Sequence, residues 1–255
     1  MPKRKIGWVD GKDNIAVVRY NKNEEIVPIE GDALAKSLNI NGSLYVLSPI
    51  KGNLDIREAK IGNSVSVENA DVYGWLYAKK AEIGGSLYVE KARINNIDVE
   101  LAKIGQSLNV EDTEIEDSLN AFKAEINGSL IVREAKIGHL LDAIGANIGE
   151  DLNVEKSEIG NLNIRKEKIG KRLAVEETKI DGTWFAGGAE IGEYLYANEA
   201  RIGGGIDIRG GKIKRFDLIN TEISKGLNMK NAEIDKLVIE DAKFKEINLE
   251  GSVIR

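Results

Sequence analysis

The stretch Ala81–Ile94, AEIGGSLYVEKARI, opens with Ala-Glu-Ile-Gly and begins again eleven residues on with Ala92-Arg93-Ile94. The phrase A-x-I-G-x-x-L-x-V-x-x recurs on both sides of it. Its anchoring apolar residue falls at Ile61, Val72, Ile83, Ile94, Ile104 and Ile115, and continues to Ile234, Phe244 and Ile254. The spacing is ten or eleven throughout. Each copy holds two short alternating runs, A-x-I and L-x-V, separated by Gly, Asn, Asp or Ser. Alternation with β-branched residues is the signature of strand, and the polar pairs between mark turns. Runs of three residues are too short for ordinary hairpins. The unit must coil and stack on itself, which predicts an all-β chain built as a single parallel β-solenoid.

The exposed residues set the length of one coil. Reading the middle residue of A-x-I in every second copy gives Lys60, Glu82, Lys103, Glu125, Asn147, Lys168, Glu190, Lys212 and Glu233. The other copies give Asp71, Arg93, Glu114, Lys136, Glu158, Lys179, Arg201, Glu222 and Lys243. Stacked strands lie about 4.8 Å apart, so like charges on adjacent rungs destabilise. A coil of ~22 residues alternates the signs in both series, with Lys179 beside Arg201 the one clash. A coil of ~11 would set Asp71 on Glu82 and Arg93 on Lys103. About ten coils of ~22 residues, each made of two 11-residue repeats, follow; the rod would be roughly 45–50 Å long. Four short runs per coil imply a square section filled by Ala, Ile, Leu and Val.

Composition bounds the remainder. The chain has 255 residues, no cysteine, 42% hydrophobic and 31% charged residues. Disulfides, thiol chemistry and sulfur-ligated metals are excluded. No apolar run approaches the roughly 18 residues of a membrane span. The basic start, Met1-Pro2-Lys3-Arg4-Lys5, lacks the apolar segment of a secretory signal, so a cytoplasmic location is expected. The net charge of −6 argues against a nucleic-acid partner. Abundant Lys, Glu and Ile beside only two methionines suggest a thermophilic source.

The phrases AEIGGSLYVEKARIN and AKIGQSLNVEDTEI resemble pentapeptide-repeat-like quadrilateral β-helices. The rhythm of INGSLYV and INGSLIV also resembles bactofilins, polymer-forming β-helices. The resemblance covers about 85% of the chain and is one of repeat style. The chain lacks the strict period of five found in the first family, and its coil is longer than that of the second, which is also three-sided. What the resemblance implies is a rod that either assembles with itself or docks on another protein.

Residues 1–37 stand outside the phrase. Ile6–Val9 and Ile15–Val18 flank DGKDN, a hairpin turn signal, and Asp32 is placed to cap a short helix over Ala33–Ser37. This segment is expected to cap residues 38–255, the solenoid. At the other end DAKFKEINLEGSVIR stays in phase to the last residue. The final coil, with Phe244, Ile247, Leu249 and Ile254, is therefore expected to make end-to-end contact with a second copy, giving a dimer or a filament.

Candidate chemistry is sparse. His139 is the single histidine and falls at a repeat turn, where a zinc site or catalytic triad lacks partners. The middle residue of L-x-V in one half reads Asp55, Tyr77, Asp98, Asn120, Asp142, Asn163, Phe185, Asp207, Asn228 and Asn248. Such a column could hold calcium or sugar, or could bond along its own length. In the other half the strip carries Tyr45, Tyr88, Ile131, Tyr196 and Val238, residues suited to an interaction face. Trp184 occupies an inward leucine position beside Ala186, as large-beside-small packing. No catalytic, cofactor or metal residue is assigned. The expected function is a non-catalytic structural or scaffolding protein; the alternative is a rod-shaped module that binds one protein or mimics duplex nucleic acid.

Overall fold

The structure is a computed structural model that describes strands Arg4–Val9 and Asn14–Arg19 and residues 26–255. It is an all-β parallel solenoid of about 11 turns with coils of roughly 21 residues. Register fixes the coil: Glu82 pairs with Lys60 on one side and Lys103 on the other. That Lys/Glu ladder runs unbroken from Asn39 through Asn147 to Glu233 and Val253. The sister ladder stacks Arg93 on Glu114, Glu114 on Lys136 and Lys136 on Glu158. Lys179 does lie beside Arg201.

One coil more than expected is present because the solenoid starts earlier. Ile29 bridges to Ile50, and Ala33–Leu34 is a strand paired with Leu54–Asp55. The short helix expected over Ala33–Ser37 is therefore replaced by strand and turn. Ala33 and Ala35 occupy inward Leu and Val positions, and Ser37 (φ 56°) is the left-handed corner. Local helix preference lost to stacking on the coil above. Ahead of it, Arg4–Val9 and Asn14–Arg19 pair antiparallel, and Ile15 aligns with Leu44 to extend the first coil's sheet. The turn at residues 10–13 lies outside the described residues.

Two kinds of corner close each coil. After the L-x-V runs, Leu44–Val46 apart, a four-residue turn has a left-handed third residue, as Leu101 (φ 58°) in the turn closed by Ala102 N–H on the Val99 carbonyl at 3.0 Å. A positive φ at that position is the type II requirement, and glycine or Asn is the usual solution. Here Lys, Glu, Asp and even Leu fill it in some coils, and Gly145, Gly188, Asn69 and Asn231 in others. After A-x-I the chain bends instead of turning, and in places the strand runs through the bend, as in Lys136–Asp142 and Glu190–Tyr196. A Cβ at Gly84 in this bend would stand 2.1 Å from the Gly62 carbonyl oxygen, so close stacking requires glycine there.

The bend has its own hydrogen-bonded column. Ser64 Oγ accepts the Ser86 N–H at 3.1 Å, Ser86 Oγ that of Ser107 at 3.2 Å, and Ser107 Oγ that of Ser129 at 3.1 Å. Each hydroxyl thus satisfies a backbone donor one coil further on. Inside, the inward Leu, Ile, Val and Ala form one continuous cluster from Val17 to Ile234. Trp184 is fully buried beside Ala186. Burial of this continuous aliphatic column, with no helix in the described residues, holds the rod together.

Candidate interaction surfaces

The Asp/Asn column is in register, from Asp55 on Tyr77 and Asp98 on Asn120 to Asp207 on Asn228. Its oxygens are engaged locally. Asp98 Oδ1 accepts the Glu100 N–H at 3.0 Å, Asn120 Oδ1 that of Phe122 at 3.0 Å, and Asp142 Oδ1 that of Ile144 at 3.1 Å. This two-residue bond is an Asx turn, which fixes the entry to the left-handed corner. Asn109 and Asn153 do the same in the sister half. Residue type follows from the turn: Asp and Asn combine a short side chain with an acceptor at that reach, and Ser or Thr make the same bond more weakly.

Arginines reinforce two of these carboxylates and one in the sister column, Asp217. Arg57 forks onto Asp55 at 2.9 and 2.6 Å, and Arg209 onto Asp207 at 2.8 and 2.7 Å. The Arg57 hydrogen bond holds Asp55 below the ordinary carboxylate range, against its burial. Burial pushes Asp207 up, but Arg209 brings it below that range. Arg215 pairs with the buried Asp217 at 2.7 Å. Among the described residues no three acidic or histidine side chains gather as a metal site requires. His139 is exposed, its Nδ1 3.5 Å from Asp117 Oδ1.

Tyr45, Tyr88, Ile131, Tyr196 and Val238 share one column but not one patch. Ser66, Asn109, Asn153, Ala174 and Asp217 stand between them, and the five are half-buried. A larger aromatic group lies elsewhere. Tyr73 is 62% and Trp75 37% exposed, and the Trp75 ring stacks on Tyr77 at 5.2 Å. Arg57 covers the Tyr77 ring at 4.9 Å.

Phe244, Ile247, Leu249 and Ile254 take the inward positions of the last coil. Ile247, Leu249 and Ile254 are 38%, 41% and 41% exposed, while Leu227, Met229 and Ile234, directly beneath them, are 1%, 0% and 1%. Phe244 is half-buried against the core. Among the described residues nothing stacks on this coil.

Two features escaped the reading of the sequence. A shallow groove runs beside the Lys/Glu ladder, floored by the glycine bend, from Asn39 to Asn127 and again from Asn147 to Asp235. The other is Glu167, which fills a leading-alanine position between Ala146 and Ala189 and is fully buried. Both its carboxylate oxygens lack a hydrogen-bond partner, as does Trp184 Nε1. Burial, with Asp142 adding repulsion, raises Glu167 well above the ordinary carboxylate value. Its signal was a charged residue at a repeat position otherwise filled by Ala, Ser, Thr or Gly, with Leu38 in the first coil. No protein-family model matches the chain, and no curated protein matches it.

Proposed function

We propose that this protein is a non-catalytic structural rod that associates with copies of itself through its last coil. The observation that carries this reading is the contrast between Leu249 and Met229, successive occupants of one inward column, at 41% and 0% exposure. An open parallel edge offers unpaired N–H and C=O groups next to apolar interior, and solenoids require that edge to be covered. A second copy supplies the same surface. Two such edges meeting about a two-fold axis run their strands antiparallel, a pairing that closes with two chains. The repeat style, which resembles that of bactofilins, and the regular coils, free of long loops among the described residues, support the same reading.

Sedimentation of the 255-residue chain over a concentration series tests it, with negative-stain images of the particles. Dimers or filaments that become smaller assemblies of intact rods on Leu249→Lys, with the loss confined to end-to-end contacts in the images, support the end contact. A wild-type chain that stays monomeric at high micromolar concentration rejects it and promotes the second reading, a rod that docks on another protein. The exposed Tyr73 and Trp75 favour that alternative, because aromatic residues are enriched at interfaces.

A further inference from the structure

The Lys/Glu ladder has an order that the single chain does not require. From Lys60 to Glu233 its signs run plus, minus, plus, minus, neutral, plus, minus, plus, minus, with Asn147 at the centre. Strict alternation would continue after Glu125 with a cation at 147 and an anion at 168. Instead the neutral rung is followed by Lys168, and the phase restarts. The next rungs outward, Asn39 and Val253, are both uncharged. The sequence of charges is therefore odd about Asn147: inverting the ladder end for end exchanges every sign.

From that symmetry we infer a second self-association surface: two rods lie side by side, antiparallel, with their Lys/Glu ladders face to face. The two-fold axis runs along the Asn147 strand, perpendicular to the rods. Lys60 then meets Glu233 of the other copy, Lys103 meets Glu190, and Asn147 meets itself. A charged residue on the axis would face its own like, so the centre must be neutral. Parallel packing sets each charge against its equal. Antiparallel packing about a neighbouring rung leaves Glu125 or Lys168 against itself. The sister ladder fails the same test, because inversion about its centre puts Glu158 on Glu158 and Lys136 on Lys179.

Shape agrees independently. In the glycine bend beside the ladder, the same axis sets Asp235 opposite Gly62, Lys214 opposite Gly84 and Asn127 opposite Gly170. At the centre Gly149 faces itself. On the nine rungs from Gly62 to Asp235 every large residue opposes a glycine, Gly105 opposes Gly192, and backbones approach most closely where the two groove segments meet. The charges are available: Lys103 and Glu125, 3.9 Å apart, keep 63% and 59% side-chain exposure. The contact deepens the self-association reading but uses a different face from the last coil. Exposed ion pairs make it weak and salt-sensitive.

The test uses the Leu249→Lys chain, in which the end contact is removed. Asn147→Lys gains Glu125 and opposes Lys168 within the chain, while Asn147→Asp does the reverse, so both should fold. Each variant alone is expected to weaken dimerisation at least tenfold. An equal mixture should restore it as a heterodimer, with Lys against Asp on the axis. Because the chain has no cysteine, Asn147→Cys should oxidise readily to a covalent dimer, and Lys136→Cys on the sister ladder should not. Variants that dimerise like the parent, a mixture that restores nothing, or equal cross-linking at 147 and 136 each overturn the ladder interface. Those results leave the end contact standing, since its own test is the loss of end-to-end contacts when Leu249→Lys is made in the parent chain.

Discussion

Thr178 Oγ1 donates to the Val154 carbonyl at 2.6 Å, twenty-four residues back along the chain and one coil below. Thr113, Ser157 and Thr221 repeat the bond on Val89, Val132 and Ala197 at 2.8, 2.7 and 2.6 Å. All four occupy the leading-alanine position of the same half. The hydroxyl ties each left-handed corner to the coil beneath. Thr178→Val, which keeps the shape, should lower stability by about 1 kcal/mol, and Thr178→Ser should recover most of it. Urea midpoints decide; a valine variant as stable as the parent would mean that the hydroxyl only fills space.

The charge ladders give a second expectation. Glu125→Lys would place a cation on the rung next to Lys103, with uncharged Asn147 on the other side. The loss should be about 0.5–1 kcal/mol at low salt and should shrink as salt is added. Adding Lys103→Glu should recover only part, because Glu82 then gains a like neighbour. An unchanged midpoint at low salt would show that these exposed rungs do not couple.

Glu167 predicts a pH dependence with a definite sign. Its folded value lies well above the ordinary 4.5, because burial disfavours the charged form. Stability linked to the neutral acid is intact below 4.5 and is lost as pH climbs toward the raised value. Glu167→Met removes the ionisable group at similar volume. Its advantage over the parent should grow between pH 5 and 8, by up to about 1.4 kcal/mol per pH unit until the folded value is passed. Parallel stability curves for the two proteins across that range would contradict a buried neutral carboxyl.

The inward column of Leu227 and Ile247 measures whether the last coil is covered. Leu227→Ala, at a fully enclosed site, should cost about 2–5 kcal/mol. Ile247→Ala should cost much less in dilute protein and progressively more as concentration rises, if a second copy seals the end. Thermal melts across a hundredfold concentration range would expose that difference. A cost for Ile247→Ala independent of concentration argues for an end that stays open.

The coil length was legible because charge alternation along a 4.8 Å stack is a long-range record written in exposed residues. Lys60, Glu82 and Lys103 encode the neighbour of each rung, which periodicity alone leaves open between eleven and twenty-two. The first coil was not legible. Ala33, Leu34, Ala35 and Leu38 carry a helix-favouring composition, and only the coil above them imposes strand. The Asp/Asn column was visible, but its role was not, since the Asx turn needs the left-handed corner that Lys91 or Leu101 gives no hint of in sequence. Glu167 breaks the repeat openly, but its sequence position does not reveal that both carboxylate oxygens are buried without a partner.

The ladders also give this rod two different repeat lengths. Backbone and core repeat every coil, whereas sign repeats every second coil. A duplication of one coil would preserve the core and yet bring like charges together on the surface, while a duplication of two coils would leave both undisturbed. Growth in steps of about 43 residues is therefore silent, and growth in steps of about 21 leaves a mark. Each ladder carries one such mark, Asn147 in the first and the Lys179–Arg201 neighbours in the second. They are the points at which the rod absorbs a change of parity, and Asn147 does so without placing two like charges side by side.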